Sequence, residues 1–293
     1  MTPAAELLLD KLKGLADPVR LRLVALCVRG ECSVSELTEV LGQSQPRISQ
    51  HLKTLCDTKL LQRFRDGHYV YYRAPVRGQH GTSLRQLLGL FAEDEPDFVR
   101  DLEKLRALRG EGMDQEPAAH DDRALHHALV ELTVTDPLGD LIDIGCGQGR
   151  VLKLLASRAQ RAVGVDIDAD ARRFARSQVL LAGLPNCTLR KGDMYALPFA
   201  DKEFDTVILD DVLGDAQKPY DALVEARRLL RSDGRLLLLN SIDDDTEHAL
   251  RTHFSAWCRA AELRMTAPKL IPLVEPRWLL AVATKANARS AAA

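Results

Sequence analysis

The chain has 293 residues, about twice a common domain length, so two domains are expected. With 46% hydrophobic and 28% charged residues the composition excludes a wholly disordered or fibrous chain, and no apolar run approaches the roughly 18 residues of a membrane span. A net charge of -2 hides a mildly basic first half, in which residues 1–110 carry 17 Lys/Arg against 14 Asp/Glu; that balance is compatible with a nucleic-acid partner. Six scattered cysteines (27, 32, 56, 146, 187, 258) form neither CxxC nor CxC, so neither a disulfide framework nor a zinc knuckle is expected, and the chain reads as cytoplasmic.

Pro3 to Lys13 reads as an amphipathic helix. Leu7, Leu8, Leu12 and Leu15, then Val19, Leu21, Leu23, Leu26 and Cys27, recur at helical spacings and predict a helical core. Ser33 to Leu41 is a short helix, capped by Ser33 or Ser35 and closed by Gly42. Ser44-Gln45-Pro46 then opens a second helix, a capping residue followed by an early proline. In that second helix Ile48, Leu52 and Leu55 share the inward face, which leaves Gln45, Arg47, Ser49, Gln50 and Lys53 largely outward. Arg and Gln suit base edges in the major groove, whereas Ser and Lys suit phosphates or, less selectively, bases. The segment LLQRFRDGHYVYYRAP places two β-rich runs around Asp66-Gly67, a hairpin signal. From Ser44 to Arg77 seven Lys/Arg stand against two Asp, which marks where phosphate contact is expected. The expected DNA-facing set is Ser44, Gln45, Arg47, Ser49, Gln50 and Lys53, with Arg63, Arg65, His68 and Arg73 on the hairpin.

In order, ADPVRLRLVALC, SVSELTEVLGQSQPRISQHLKTL and LLQRFRDGHYVYYR resemble the ArsR/SmtB family of winged helix-turn-helix transcription regulators over about the first hundred residues. The resemblance implies a mostly α DNA-binding domain. It also implies a homodimer through the terminal helices, here Pro3 to Lys13 and Ser83 to Arg109, reading a dyad operator in double-stranded DNA. Many relatives sense thiophilic metals through paired cysteines where this chain carries Ser33 and Ser35; a hydroxyl is a poor soft-metal ligand. Cys32, one residue away, is expected to pack. His120, His126 and His127, with Asp121 and Asp122, are expected to be solvated, so no metal site is expected.

A linker is expected at 110–122, rich in Gly, Pro and charge, between a first domain at 1–109 and a second at 123–285, with a loose tail at 286–293. Beyond it a helix from Asp122 to Leu132 precedes short apolar runs, LIDIG, AVGVDI, DTVILD and GRLLLLN, which alternate with helical patterns such as Tyr220 to Leu230. That alternation predicts βαβ units and a parallel sheet. A second helix, Thr246 to Leu263, separates the last strands. Gly145, Gly147 and Gly149 follow a run ending at Asp143 and precede a helix from Arg150 to Ser157, an arrangement in which backbone passes close to a ligand. Asp166, followed by Ile167, ends the second run, where a carboxylate can take both hydroxyls of a ribose. Lys191-Gly192-Asp193-Met194 follows the third, and Asp210-Asp211-Val212-Leu213 the fourth.

This series resembles the class I S-adenosylmethionine-dependent methyltransferases, an α/β Rossmann-like fold, over about Arg123 to Lys285. The resemblance implies that Gly145 to Gly149 approach the methionine part of S-adenosylmethionine or S-adenosylhomocysteine. It further implies that Asp143 lies near its amino group, Asp166 holds the ribose, Asp193 accepts from the adenine amino group and Met194 packs on the ring or in the core. Asp210 and Asp211 occupy the acceptor side, where the Asn/Asp-Pro-Pro-aromatic turn of DNA amino-group methyltransferases is absent. The whole chain resembles ArsR-type regulators with a methyltransferase-like domain that answer to S-adenosylhomocysteine and control methionine-cycle genes, which implies a ligand-controlled repressor. The alternatives are an active small-molecule methyltransferase that regulates itself, and an arsenic-responsive regulator and arsenite methyltransferase, which needs several cysteines around one pocket; Cys146, Cys187 and Cys258 share the second domain, but the sequence does not bring them together.

Overall fold

A computed structural model of the chain describes residues 3–75, 82, 84, 86–88, 95–110, 123–134, 137–242, 246–271 and 277–286. The chain divides into two compact units, Met1–Asp114 with Arg176–Thr188, and Gln115–Ala175 with Leu189–Ala293.

In the first unit helices α1 (Pro3–Leu15), α2 (Pro18–Arg29), α3 (Val34–Leu41) and α4 (Gln45–Asp57) precede a hairpin of β2 (Gln62–Asp66) and β3 (Tyr69–Arg73). A two-residue strand, β1 (Cys32–Ser33), joins β3 to give the antiparallel order β1-β3-β2. Local chemistry sets these boundaries. Asp17 caps α2 by accepting from the Val19 and Arg20 amides at 2.9 and 3.0 Å. Ser33 and Glu36 form a reciprocal capping box at the start of α3, and Gly42 ends that helix with φ +63. Ser44 occupies the backbone cap position of α4, but its side chain makes no capping bond, so the expected cap is backbone only. The hairpin also departs from expectation by one residue. Asp66 pairs with Tyr69 in the ladder, so Gly67 and His68 form the turn, and the positive φ of +59 falls on the glycine.

Leu23, Leu37, Ile48, Leu52, Leu55 and Leu60 are fully buried and form the centre of this unit's core. Helix α5 (Pro96–Gly110) is fastened to α2 by a two-pronged Arg22–Asp101 pair at 2.6 Å per bond. It is fastened to α3 by Arg109, which donates to Glu36 at 2.8 Å and to the Glu31 carbonyl at 2.6 Å. Burial alone would raise the Glu36 carboxyl, but Arg109 and the Ser33 amide together hold it below the usual glutamate range. Arg176, in the same unit, is buried with Glu31 and Asp66 as its ion-pair partners. The expected helix from Ser83 to Arg109 is described in its second part; residues 83, 85 and 89–94 lie outside the described residues.

The second unit opens with α6 (Arg123–Val134), β4 (Asp140–Ile144), α7 (Arg150–Leu155), a short 3₁₀ turn (Ala156–Arg158), β5 (Arg161–Asp166), α8 (Ala169–Leu181) and β6 (Cys187–Lys191), of which the end of α8 from Arg176 and the start of β6 to Thr188 count with the first unit. It continues with β7 (Phe204–Asp210), α9 (Pro219–Leu229), β8 (Leu230–Ile242), α10 (Glu247–Ala260), β9 (Leu263–Met265), β10 (Lys269–Ile271) and β11 (Arg277–Lys285). The sheet order is β10-β11-β8-β7-β4-β5-β6, with β9 also pairing to β11. The pairs β4/β5, β4/β7 and β7/β8 are parallel, as the alternation predicts. The far side is not: β11 runs antiparallel to β8, β9 and β10. The sheet is therefore mixed. The two short strands, too brief to signal themselves in sequence, take up the chain between α10 and β11 so that β11 enters from the opposite end.

Leu236 to Leu239 of β8 are all buried, the continuous apolar run of a strand covered on both faces. Strand order reverses between β4 and β7, since the chain continues from β4 to β5 on one side and reaches β7 on the other. In such sheets the crevice at the carboxyl ends of those two strands receives the ligand.

Candidate ligand and nucleic-acid sites

The glycine turn leaves β4 at that switch point. The Gly145 and Cys146 amides donate to the Val165 carbonyl at 2.7 and 2.9 Å, which ties the turn to the end of β5. Gly145 has φ +73, and a Cβ there would stand 2.5 Å from a Val212 methyl, so no side chain fits. Gly147 has φ +49, but a Cβ there would meet nothing within 4 Å. Its need for glycine is conformational, and the space beside it is open. The Gly147 amide donates to Asp166 Oδ2 at 2.8 Å and the Asp168 amide to Asp166 Oδ1 at 2.8 Å. Asp166 thus fixes the turn through both of its oxygens, a role its position at a strand end did not reveal.

Asp143 is 1% exposed and its Oδ1 has no hydrogen-bond partner. Burial, and then the negative charges of Asp210 and Asp166, push its carboxyl well above the ordinary aspartate range, against the pull of Arg150. An unpartnered carboxyl oxygen beside a glycine turn suits a bound ammonium group. Asp193 is exposed and accepts from the Tyr195 amide at 3.1 Å, while Met194 is half-buried against the sheet's core. Ile167 is 67% exposed, available to a ligand and unused by the core. The loop after Met194 is held by Arg228, which donates to the Leu197 and Phe199 carbonyls at 3.0 and 2.8 Å and to Asp201 at 2.7 Å.

On the β7 side Asp210 receives both oxygens' contacts from one nitrogen of Arg150, at 2.8 Å each. The guanidinium lies 5.4 Å from the centroid of the buried Trp278 ring. Asp211, at φ +53, accepts from the Ser241 amide and hydroxyl at 2.6 and 2.8 Å. Arg150 and Trp278 were not singled out in the sequence. The first is legible in hindsight as a base placed directly after the last glycine of the turn; nothing local marks the second. The set present fits an adenosyl amino acid: glycine backbone with open space, a strand-end carboxylate, and a buried carboxyl lacking a partner.

In the first unit Ser44, Gln45, Arg47, Ser49, Gln50 and Lys53 are all exposed along α4, opposite the buried Ile48, Leu52 and Leu55. Arg63, Arg65 and His68 are exposed on the hairpin. A cleft of about 440 Å³ brings Gln45 and His68 together with Ser33, Ser35 and Thr38. Arg73 differs: half-buried, it donates to Gln62 at 3.1 Å, stands 3.7 Å from Glu31 and lies over the Phe64 ring. It braces the hairpin. Cys32 is buried, its thiol 3.6 Å from the Gly30 carbonyl. Among the described residues no three His, Cys, Asp or Glu side chains gather as metal ligands. His120, Asp121 and Asp122 lie outside the described residues, while Cys146, Cys187 and Cys258 are buried, the last with its thiol pushed up to about 11 by burial. No helix among the described residues is long and apolar enough to cross a membrane.

The family described as bacterial regulatory protein, arsR family, matches residues 17–62, and the methyltransferase domain family matches residues 142–238. The arsenical resistance operon repressor of Bacillus subtilis is 41% identical over 83 residues, which cover 28% of this chain and 79% of the repressor. An uncharacterized 37.1 kDa protein in a Streptomyces fradiae transposon is 33% identical over 162 residues, 53% of this chain and 43% of that protein. The chain spans about half the length of several such curated relatives. A solved S-adenosylmethionine-dependent methyltransferase from Aquifex aeolicus aligns with TM-score 0.48 and 15% identity, covering 60% of this chain and 97% of that one.

Proposed function

Because the chain belongs to the bacterial regulatory protein family arsR and carries a methyltransferase domain, we propose that it is a DNA-binding repressor whose second domain senses S-adenosylhomocysteine or S-adenosylmethionine. The observation that carries this reading is the joined arrangement of glycine turn and Asp166, with the unpartnered Asp143 beside it. Gly145 to Gly149 would line the methionine end, Asp143 its ammonium, Asp166 and Ile167 the ribose side, and Asp193 with Met194 the adenine. When bound, S-adenosylmethionine supplies a methyl group activated by its sulfonium. The chain's own residues bind and orient it.

Sensing is favoured over turnover by the β7 end of the site. Methyl transfer requires an acceptor held in line, often with a base. Here Asp210 is engaged by Arg150, and Asp211 by Ser241. Neither carboxylate is set up as an unengaged base.

The DNA reading rests on the exposed face of α4 and on the hairpin arginines. Two copies of this face, in a homodimer, would contact two half-sites of a dyad operator. Ligand alters operator affinity to the extent that it binds the DNA-competent and DNA-released states differently. Domain limits of 1–109 and 123–285, and control of methionine-cycle genes, belong to the same proposal.

The test is fluorescence anisotropy on the chain's own upstream DNA at one fixed salt concentration, with and without each adenosyl compound. A severalfold shift with one compound, lost in Asp166→Ala while ligand-free DNA binding persists, is the expected result. An undiminished response in Asp166→Ala would remove the assigned site. No response in the wild type, together with methyl transfer from labelled donor to a metabolite, would replace the sensor by a self-regulating enzyme.

A further inference from the structure

Helix α8 starts at the crevice, and from Arg176 onward its residues belong to the first unit. Asp168 caps the helix by accepting from the Asp170 amide at 2.8 Å, and the amide of Asp168 is itself held by Asp166. Arg172, 1% exposed, donates back to the Asp166 carbonyl at 2.9 Å. Further along, Ala175 lies against the glycine turn, where a Cβ on Gly149 would stand 3.1 Å from the Ala175 methyl. The opening of α8 is thus fastened to the two features assigned to the adenosyl ligand, Asp166 and the glycine turn.

Arg176 comes next in the chain. Its guanidinium, 4% exposed, donates to Glu31 at 3.0 Å and to Asp66 at 2.5 Å, and lies 4.2 Å from the centroid of the Tyr71 ring. Leu180, four residues on and so on the same helical face, is part of the first unit's core, where a Cβ on Gly30 would stand 2.9 Å from its Cδ1. All three partners of Arg176 bear on the hairpin. Asp66 is the last residue of β2 before the turn, Tyr71 of β3 stacks on Phe64 of β2 at 5.7 Å between ring centroids, and Glu31 stands 3.7 Å from Arg73. Side chains alternate along β2, so Phe64 and Asp66 share the face that meets Tyr71 and Arg176, while the exposed Arg63 and Arg65 share the other. Packing alone does not require this chemistry, since apolar residues of similar volume serve a buried contact as well as an ion pair does. What the planar fork adds is direction: hydrogen bonds at fixed angles to carboxylates on two separate segments. A displacement of Arg176 therefore either carries Asp66 with it or leaves buried charge unmet.

We propose that Arg176 is the positioning residue through which the adenosyl site acts on the hairpin. It holds Asp66, and with it the presentation of Arg63, Arg65 and His68 to DNA, at a setting given by α8, whose opening is set in turn by what occupies Asp166 and the glycine turn. This rests on the sensor reading above, in both its adenosyl and its DNA half. Ligand and DNA affinity are then linked through one buried ion-pair network.

The experiment combines calorimetric titration of the full chain with S-adenosylhomocysteine and with S-adenosylmethionine, and anisotropy on its upstream DNA with and without each compound. The samples are wild type, Arg176→Met, Arg176→Lys and Arg173→Met, the last removing an exposed charge from the same helix. Arg176→Met should bind the responsive compound within about twofold of wild type, yet reduce the severalfold operator shift to below about twofold. Arg176→Lys, which keeps the charge without the fork, should fall between, and Arg173→Met should respond as wild type does. Arg65→Ala should also cost less operator affinity in the Arg176→Met background than in the wild type, because the hairpin is already released there. A full shift in Arg176→Met, an equal loss in Arg173→Met, or an undiminished cost of Arg65→Ala would overturn the inference. Loss of adenosyl binding in step with loss of response would do the same, making Arg176 a support of the ligand site. Thermal melting of each variant separates loss of response from loss of fold. If Arg176→Met melts too low to assay, Asp66→Asn, which keeps the shape and removes one charge of the pair, decides by the same two readouts: a weakened shift with intact ligand binding supports the inference, and a full shift overturns it. A wild type that binds neither compound, or binds one without an operator shift, refutes the sensor reading itself and this inference with it.

Discussion

Gly145 and Gly147 stand two residues apart in one turn, yet alanine at each is expected to fail in different ways. At Gly147 the added Cβ meets nothing within 4 Å, so the penalty is the positive φ of +49 alone, about 1–2 kcal/mol for an L-residue in left-handed backbone. For a unit of this size each kcal/mol lowers the melting temperature by roughly 2–4 °C, so Gly147→Ala should fold and melt a few degrees low. Its new methyl points into the open space where the proposed ligand passes. A methyl forced into a close contact costs about 1–3 kcal/mol, or roughly 5- to 150-fold in dissociation constant. At Gly145 the φ of +73 is joined by a contact of 2.5 Å with Val212, inside the protein. Gly145→Ala should therefore lose much more stability, before any ligand is added. Calorimetric melting and titration with S-adenosylhomocysteine measure both quantities on the same samples. Gly147→Ala that melts near wild type and binds S-adenosylhomocysteine with unchanged affinity would refute the placement of ligand against the turn. Gly147→Ala that melts as low as Gly145→Ala would refute the steric distinction between them.

Asp143 carries a pH signature. Burial and the charges of Asp210 and Asp166 raise its folded pKa above the unfolded one, so the folded state holds the extra proton and stability declines as pH rises out of the ordinary aspartate range. Asp143→Asn should melt close to wild type in acid and progressively higher than wild type towards neutral pH, without ligand; parallel melting curves across pH would contradict it. Glu36 has the opposite sign. Its lowered folded pKa means that its contribution is complete above the usual glutamate value of 4.5 and is lost as pH falls through the folded value. Glu36→Gln, which strands the buried Arg109, should cost on the order of 3 kcal/mol at neutral pH, and the gap to wild type should close in acid, as read by denaturant unfolding at each pH. On the DNA face, Lys53→Ala should weaken binding evenly across sequences and reduce the slope of log affinity against log salt by about 1. Arg47→Ala should instead relax preference at particular operator bases, at a cost of about 1–3 kcal/mol; a uniform loss there would reassign Arg47 to phosphate.

Much of the architecture was legible because it is written in local periodicity. The i, i+4, i+7 spacing of Ile48, Leu52 and Leu55 fixed which face of α4 is buried, and all three are fully buried. The three glycines between a β-run and a helix announced a close backbone turn, and each has positive φ. Alternating apolar runs announced the parallel strands β4, β5, β7 and β8 correctly. The reversal of β11 and the presence of β9 and β10 were not legible, because strand direction depends on which end of the sheet the chain returns to, and a three-residue strand has too few residues to show a period. The one-residue shift of the hairpin turn had a similar cause: Asp66 carries a turn residue's propensity but is drawn into the ladder, buried and paired.

The amino-acid sequence by itself determined the helix-turn-helix, the basic hairpin, the glycine turn and the strand-end carboxylates, since each is a local pattern whose physics acts over a few residues. Only the tertiary structure decided that Asp143 lies buried with an unpartnered oxygen, that Asp166 pins the turn, and that Arg150 spans to Asp210 over Trp278. Those contacts join residues about 20 to 130 positions apart, and their energies depend on burial and on the field of neighbouring charges, which no local stretch of sequence carries.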